Sequence, residues 1–464
     1  LNAIGVDVNE VEGIFHTHAH DDHFAGLTTL ARANHRIKYY STALVRASVT
    51  KKLSPLLSIS ENEFEKYFEV CDLVFDKWNN IDGLEVRPVF SPHPVETNIL
   101  YFRTLWENGY ATYAHLADIA SHDVLTKMVE VDKKLPGISP KLKKKVWEDY
   151  LSPVQVKKID IGGGIIHGKA KDFLTDKSDK IILAHTAHTL TKDEEKIGCG
   201  VTFGSTEILI EGHEDYALEA GGNYLRGYYP NAEESEIHML LNCKRESISA
   251  GTILLKDQEK PEHVILVLTG VAELLSANDK THFKLSSGTL IGDLPLLFGL
   301  KNKGTFRALT YVETLKIPAI LFKEFVNNHR LLGQIKKTQN TIEFLRQTWL
   351  FGESISTPVQ SQIAQKMKIR KYEKGASITC EGLMLVKEGK VELSDIGAEM
   401  QNRRNKVVEK GGFWGCEQMI LNKALNSNAI ALASSFIYSI AETEILEQIP
   451  IVRWKFLEQA HKRA

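Results

Sequence analysis

Residues 1–212 alternate short apolar runs with amphipathic ones. GIFHT, KYYST, LEVRPVFS, NILYFRTLW, YATYAHLAD and KIILAHT predict strands that end in polar or histidine-bearing loops. HFAGLTTLARAN places Phe24, Leu27, Leu30 and Ala31 on one helical face. Residues 125–158, with KLKKKVWEDY inside them, predict a helical insertion. Its lysines, Lys141, Lys143, Lys144 and Lys145, read as a solvated face.

The pattern changes near residue 240. AGTILLKD, HVILVLTGVAELL, HFKLSSGTLIGD and TYVETLKIP follow one another at roughly 8–12-residue spacing with glycine punctuation, which predicts an all-β barrel or jelly roll. The pattern then recurs in RKYEKGASITC, LMLVKEGKVELS, KVVEKGGFWGCE and FIYSIAETEI. TGVAELL and EGKVELS hold the same relative position, as do GTLIGDL and GGFWGCE, so one module is duplicated. The helical stretch EFVNNHRLLGQIKKTQNTIEFLRQTWL joins the copies.

Composition narrows the setting. A chain of 464 residues has room for about two to four domains. A net charge of −2 implies no global attraction to nucleic acid or to an acidic membrane. The five cysteines form no CxxC pair, which argues for a reducing, cytoplasmic setting without a disulfide framework. No apolar run reaches the roughly 18 residues of a membrane helix.

The densest chemistry is FHTHAHDDHFAG at 15–26. Several imidazoles and carboxylates in one turn are costly to bury unless a cation neutralises and orders them. Neutral imidazole and carboxylate are ordinary ligands of divalent metals. His18, His20, Asp22 and His23 form H-x-H-x-D-H between an apolar strand and an apolar helix. His16 and Asp21 read as supporting or solvent groups.

This spacing resembles the metallo-β-lactamase superfamily over about 1–212. Later strand ends supply further candidates: His93 in PVFSPHPVETN, Asp118 in YAHLADIAS and His185 in KIILAHTAHT, with His188 as a competitor. The resemblance implies one metal on His18, His20 and His93, and a second on Asp22, His23 and His185. Asp118 and a water would lie between them. His115 and His122 are expected to be bystanders. The superfamily has several strands before its first motif, and fewer than twenty residues precede it here. Upstream strands are therefore expected to be missing.

Two such metals, about 3.5–4 Å apart, hold a bridging hydroxide that attacks an ester, amide or phosphodiester centre. Zinc is the leading expectation, with iron and manganese open. The HPVETN and IILAHT contexts resemble the RNase Z-type and phosphodiesterase branch. His167, within KIDIGGGIIHGKAKDF, stands roughly where that branch carries a proton-donating histidine. The branch has glutamate next, whereas this chain has Gly168. Asp22, Asp118 and His167 are thus the catalytic candidates. Asp160 and Asp172 rank below them, and Gly162, Gly163 and Gly164 offer either a tight turn or close approach to a ligand.

The duplicated module resembles the cyclic-nucleotide-binding domain over about 233–464. That family holds the phosphate at a short helix with an arginine some ten residues on. The first copy has Gly292, Asp293 and Leu294, and its arginine slot falls near Asn302 or Lys303. Arg307 is expected to be exterior. The second copy has Gly415, Cys416 and Glu417, but no arginine between Arg404 and Arg453.

The expected fold class is α+β. An αββα metallo-β-lactamase sandwich (1–212) is followed by two β-jelly rolls, 233–345 and a degenerate 346–464. The expected function is a dinuclear-metal hydrolase of phosphodiesterase type. Its substrate is a small molecule or phosphodiester, without a membrane partner. A cyclic nucleotide is a candidate ligand of the first roll, through Gly292, Asp293, Leu294 and Lys303, against a roll kept for oligomerisation or docking alone. The rolls serve regulation, docking or homo-oligomerisation. The alternatives are a di-iron oxygen or nitric-oxide sensor and a non-catalytic scaffold.

Overall fold

Apolar residues between positions 13 and 184 build two sheets. A computed structural model describes residues 5–129, 137–162, 166–186, 188–202, 205–212, 215–276, 281–352, 354–395, 405–416 and 427–463. Strands β1 (Gly13–Phe15), β2 (Ile37–Ser41) and β3 (Phe68–Asp72) form a parallel sheet. Strands β4 (Asn79–Ile81), β5 (Leu84–Ser91), β6 (Thr97–Trp106), β7 (Gly109–His115), β8 (Val156–Asp160) and β9 (Lys180–Ala184) form a mixed sheet in sequence order. Phe15, Tyr40, Val86 and Leu100 pack between the two sheets. Val146 and Tyr150 of the Pro140–Tyr150 helix cover the other face of the larger sheet. On the far face of the smaller sheet, Tyr39 stacks edge-on to Phe64. The layering is helix, sheet, sheet, helix.

Two expectations change. The helical insertion ends early, because residues 156–160 form β8 between β7 and β9 in parallel register. Charge hid this strand. Lys157 is buried, and its ammonium donates to the Tyr150 carbonyl and pairs with Asp176. The helix expected after the histidine cluster breaks into Asp21–Phe24 and Leu27–Leu30, with Gly26 between. Phe24, Leu27 and Ala31 are nevertheless buried.

The C-terminal half repeats one arrangement. Its first copy comprises β10 (Lys244–Ile248), β11 (Ile253–Leu255), β12 (His263–Thr269), β13 (Ala272–Ser276), β14 (Thr281–Leu285), β15 (Leu290–Ile291), β16 (Thr305–Ala308) and β17 (Val312–Pro318). These pair as β10-β17-β12-β15 and β11-β16-β13-β14. The second comprises β18 (Lys368–Tyr372), β19 (Ser377–Ile378), β20 (Leu383–Glu388), β21 (Lys390–Asp395), β22 (Asn405–Glu409), β23 (Phe413–Trp414), β24 (Ser427–Ala431) and β25 (Ser435–Ile440). Their order, β18-β25-β20-β23 and β19-β24-β21-β22, is the same order shifted by eight strands. Gly270 and Gly389 stand at matching turns with φ of 82° and 94°. A Cβ at either would lie within 2.3 Å of a neighbouring atom, so both copies need glycine there.

Contacts divide the chain into two compact units. One is Gly13–Thr28 with Ile37–His213; the other is Leu1–Glu12 and Thr29–Arg36 with Glu214–Ala464. Hydrogen bonds explain the second grouping. Gly270 N–H donates to Glu10, and Ile451 N–H to the Ala33 carbonyl. Among the described residues, no helix is long and apolar enough to cross a membrane.

Glu10 carries a testable consequence. Burial pushes its carboxyl up to about 7, against the opposing hydrogen bond from Gly270. The folded chain therefore binds this proton more tightly than the unfolded chain. That stabilisation is full below the ordinary value of 4.5 and is lost as pH rises through about 7. Glu10→Gln keeps the acceptor without the charge. Thermal melts should show little change at acid pH and a gain of about 2–4 °C above neutrality. An equal shift at both pH values would refute this account.

Candidate metal centre

β5 and β7 run parallel across β6, and β8 and β9 continue in the same direction. Their C-terminal ends therefore share one edge of the sheet. His93 follows β5, Asp118 follows β7, Asp160 ends β8, and His185 follows β9. The extended segment after β1 carries His16, His18 and His20, and Asp22 and His23 lie in the helical turn that His20 caps.

Asp118 is the hub. Its Oδ2 lies 3.3 Å from His18 Nε2, 3.5 Å from His93 Nε2 and 4.0 Å from His20 Nδ1. Its Oδ1 lies 3.0 Å from His23 Nε2 and 3.7 Å from His185 Nδ1. Asp22 Oδ2 closes the second group, 3.0 Å from His185 Nε2 and 3.4 Å from His23 Nε2. All seven residues implied by the resemblance thus come together. His18, His93 and Asp118 form a buried floor, while Asp22 opens to solvent with 57% of its side chain exposed.

Supporting contacts aim these groups. Thr17 Oγ1 lies 3.1 Å from His18 Nδ1, leaving Nε2 toward Asp118. His16 is buried, its Nε2 2.7 Å from the His18 carbonyl. Asp160 Oδ1 lies 3.0 Å from His185 Nδ1, and its Oδ2 2.8 Å from His167 Nδ1. Gly162 N–H donates to Asp160 Oδ1 at 2.7 Å. A Cβ on Gly162 would meet His185 at 2.9–3.0 Å, so this glycine permits the close approach. Gly163 and Gly164 lie outside the described residues. His185 itself adopts φ 57°, a sparsely populated state for histidine.

The protonation pattern suits cation binding. Burial pushes Asp118 up, but the facing imidazoles of His18 and His23 outweigh it and hold the carboxyl well below its usual range. Burial pulls His93 down to about 4, so its imidazole is neutral near pH 7. Burial and the neighbouring His18 also lower His20. His185 moves the other way, because Asp160 and Asp22 outweigh its burial. The donor set fits a metal on geometric grounds as well. His18 Nε2, His23 Nε2 and Asp118 Oδ1 are buried without hydrogen-bond partners. Buried polar atoms are normally satisfied, and a shared cation between them would do so.

Other candidates fall elsewhere. His188 turns to Thr186 and Glu194. His122 packs on Trp147, and Asp172 accepts the His122 backbone N–H. Asp21 pairs with Lys52 at the surface. His115 lines a small cavity with Lys158, His23, Asp118 and His185. Asp160, like the other site residues, stands at a strand end.

Two family models match parts of the chain. Residues 1–102 match the model of the metallo-beta-lactamase superfamily, and residues 245–329 that of the cyclic nucleotide-binding domain. The chain joins a metallo-beta-lactamase superfamily domain to a cyclic nucleotide-binding domain. It thus has a hydrolase-like fold with a cyclic-nucleotide-type module. The first match includes His18, His20, Asp22, His23 and His93 and ends before Asp118. Over 207 residues, 43% of this chain, it is 24% identical to the cGMP-dependent protein kinase egl-4 of Caenorhabditis briggsae. That match spans 27% of the kinase, about a quarter of its length. The regulatory domain of Toxoplasma gondii PKA with cAMP is 15% identical, with a TM-score of 0.27 over 55% of this chain and all of that one. A regulatory subunit of a cAMP-independent protein kinase A from Trypanosoma cruzi, bound to guanosine, is 13% identical, with a TM-score of 0.29 over 54% of this chain and 94% of that one.

Proposed function

We propose that this chain is a dinuclear-metal-dependent hydrolase of the phosphodiesterase type, with regulatory β-rolls. Its catalytic domain spans 1–212, and the rolls span 233–345 and 346–464. One observation carries the reading: the two oxygens of Asp118 face two separate histidine groups. His18, His20 and His93 would hold one cation, and Asp22, His23 and His185 the other. Such a pair supplies Lewis acidity and lowers the pKa of water toward neutrality.

The protein's own groups do the rest. Asp118 keeps both cation sites in register. Asp160 engages His167 through Nδ1, which leaves Nε2 as the ring atom available to a substrate oxygen. In its imidazolium form, with the Nδ1 proton held by Asp160, His167 carries a second proton on Nε2 and can pass it to a leaving alkoxide, which returns the ring to the neutral Nδ1–H form. His167 is accordingly assigned as the general acid.

The test is metal analysis of the purified protein, followed by phosphodiester, thioester and lactam substrates. About two equivalents of zinc, manganese or iron and turnover of a phosphodiester are expected. Chelation should abolish turnover, and restoring the metal should recover it. A fully metallated protein inert toward all three classes would overturn the hydrolase reading.

A further inference from the structure

Both flanks of the histidine segment belong to the C-terminal unit, although the segment itself does not. Residues 13–28 carry His18, His20, Asp22 and His23, and residues 1–12 and 29–36 on either side group with residues 214–464. The flanks first meet each other. Asn34 N–H donates to Asn9 Oδ1 at 2.8 Å, and His35 Nε2 lies 3.1 Å from the Val11 carbonyl. The chain between them is therefore a loop closed at its base.

The base is fastened within its own unit at three places. Glu10 accepts from Gly270 N–H of the first roll at 2.8 Å. Asn9 Nδ2 donates to the Ser354 carbonyl at 3.3 Å, and Asn34 Nδ2 to Ser356 Oγ at 2.8 Å, both just ahead of the Thr357–Lys366 helix that leads into the second roll. Ile451 N–H donates to the Ala33 carbonyl at 3.2 Å, and the Arg32 guanidinium lies 4.2 Å from the Trp454 ring. Ile451 and Trp454 belong to the Pro450–Arg463 helix that leaves the second roll. None of these contacts uses a residue of the first-roll cavity that Gly292, Asp293, Leu294 and Lys303 line.

Two of the ties are specific. Asn34 and Ser356 are both buried. Ser356 stands at the N-cap of its helix, where a serine ordinarily accepts from its own first turn. Its side chain makes no such capping bond, and its oxygen accepts from Asn34 instead. Ile451 lies in the first turn of its helix, where backbone N–H groups lack an intrahelical acceptor, and Ala33 supplies one.

We propose that the helices entering and leaving the second roll regulate the metal centre by fastening the base of this loop. A fastened base keeps His18, His20, Asp22 and His23 organised for a cation; a released base lets the segment spread over other conformations. The proposal rests on the dinuclear-metal reading and adds how that site is regulated, through metal occupancy. A site that is competent only while the base is closed binds with an affinity scaled by the closed fraction, so closure for one-tenth of the time costs about tenfold. The linkage is reciprocal, and bound metal favours the fastened base by the same factor.

The test uses full-length protein stripped of metal, titrated with zinc against a chromogenic chelator, and amide hydrogen exchange with and without zinc. Ser356→Ala should weaken zinc binding about tenfold, and Ser356→Thr, which keeps the hydroxyl, should retain most of the affinity. In the unaltered chain, zinc should slow exchange of the Asn34 and Ile451 amides about tenfold. That comparison holds even if Ser356→Ala fails to fold. Wild-type zinc affinity in a folded Ser356→Ala, or exchange at those amides that zinc leaves unchanged, would overturn the regulation while leaving the metal reading intact. An unaltered chain that binds neither zinc, iron nor manganese would overturn both.

Discussion

Asp118→Ala is expected to lower turnover on the order of 10³-fold or more and to strip bound metal. The reason is the division of labour within one carboxylate. Oδ2 belongs with His18, His20 and His93, and Oδ1 with His23 and His185. No other described side chain touches both groups in this way. Alanine leaves two sets of imidazoles with weakened attraction for cations and nothing to hold them in register. The fold should survive, because the surrounding core of Val89, Ile99, Leu116 and Ile119 is untouched. Metal content, circular dichroism and kinetics on the same preparation decide the matter. A folded variant with full metal and full turnover would remove Asp118 from the site.

Asp160→Asn should weaken metal binding by about 10–100-fold while leaving every proposed ligand in place. Asp160 accepts N–H groups from Gly162 and Ile119 and contacts the Nδ1 atoms of both His185 and His167. A carboxylate in that position favours the Nδ1–H form of each ring and so leaves Nε2 available. Asparagine conserves volume but presents an NH₂ group to one of the two imidazoles. That ring must change tautomer or turn. Competition with a chromogenic chelator measures the affinity. Under saturating metal, kcat should remain depressed if His167 is the ring disturbed and recover if it is His185. Unchanged affinity together with unchanged kcat would reduce Asp160 to a structural residue.

Much of this was legible along the chain. His18, His20, Asp22 and His23 are near neighbours, so strand and turn geometry alone forces them together. The duplicated roll was legible because its turns need glycine: Gly270 and Gly389, and Gly292 and Gly415, recur at matching positions with positive φ. Strand β8 was hidden, since Lys157 and Lys158 read as solvated although Lys157 is fully buried against Asp176. Proximity in space explains the remainder. Asp160 gains importance only because parallel pairing of β8 with β9 sets it beside His185. Asn34 and Ser356 are 322 residues apart in the chain, and only folding brings them together. Local spacing and turn chemistry determined the modules and the opening histidine cluster. Which distant charges share a low-dielectric space, and so which of them need partners, was decided by tertiary packing, because electrostatic coupling depends on distance and burial rather than on sequence separation.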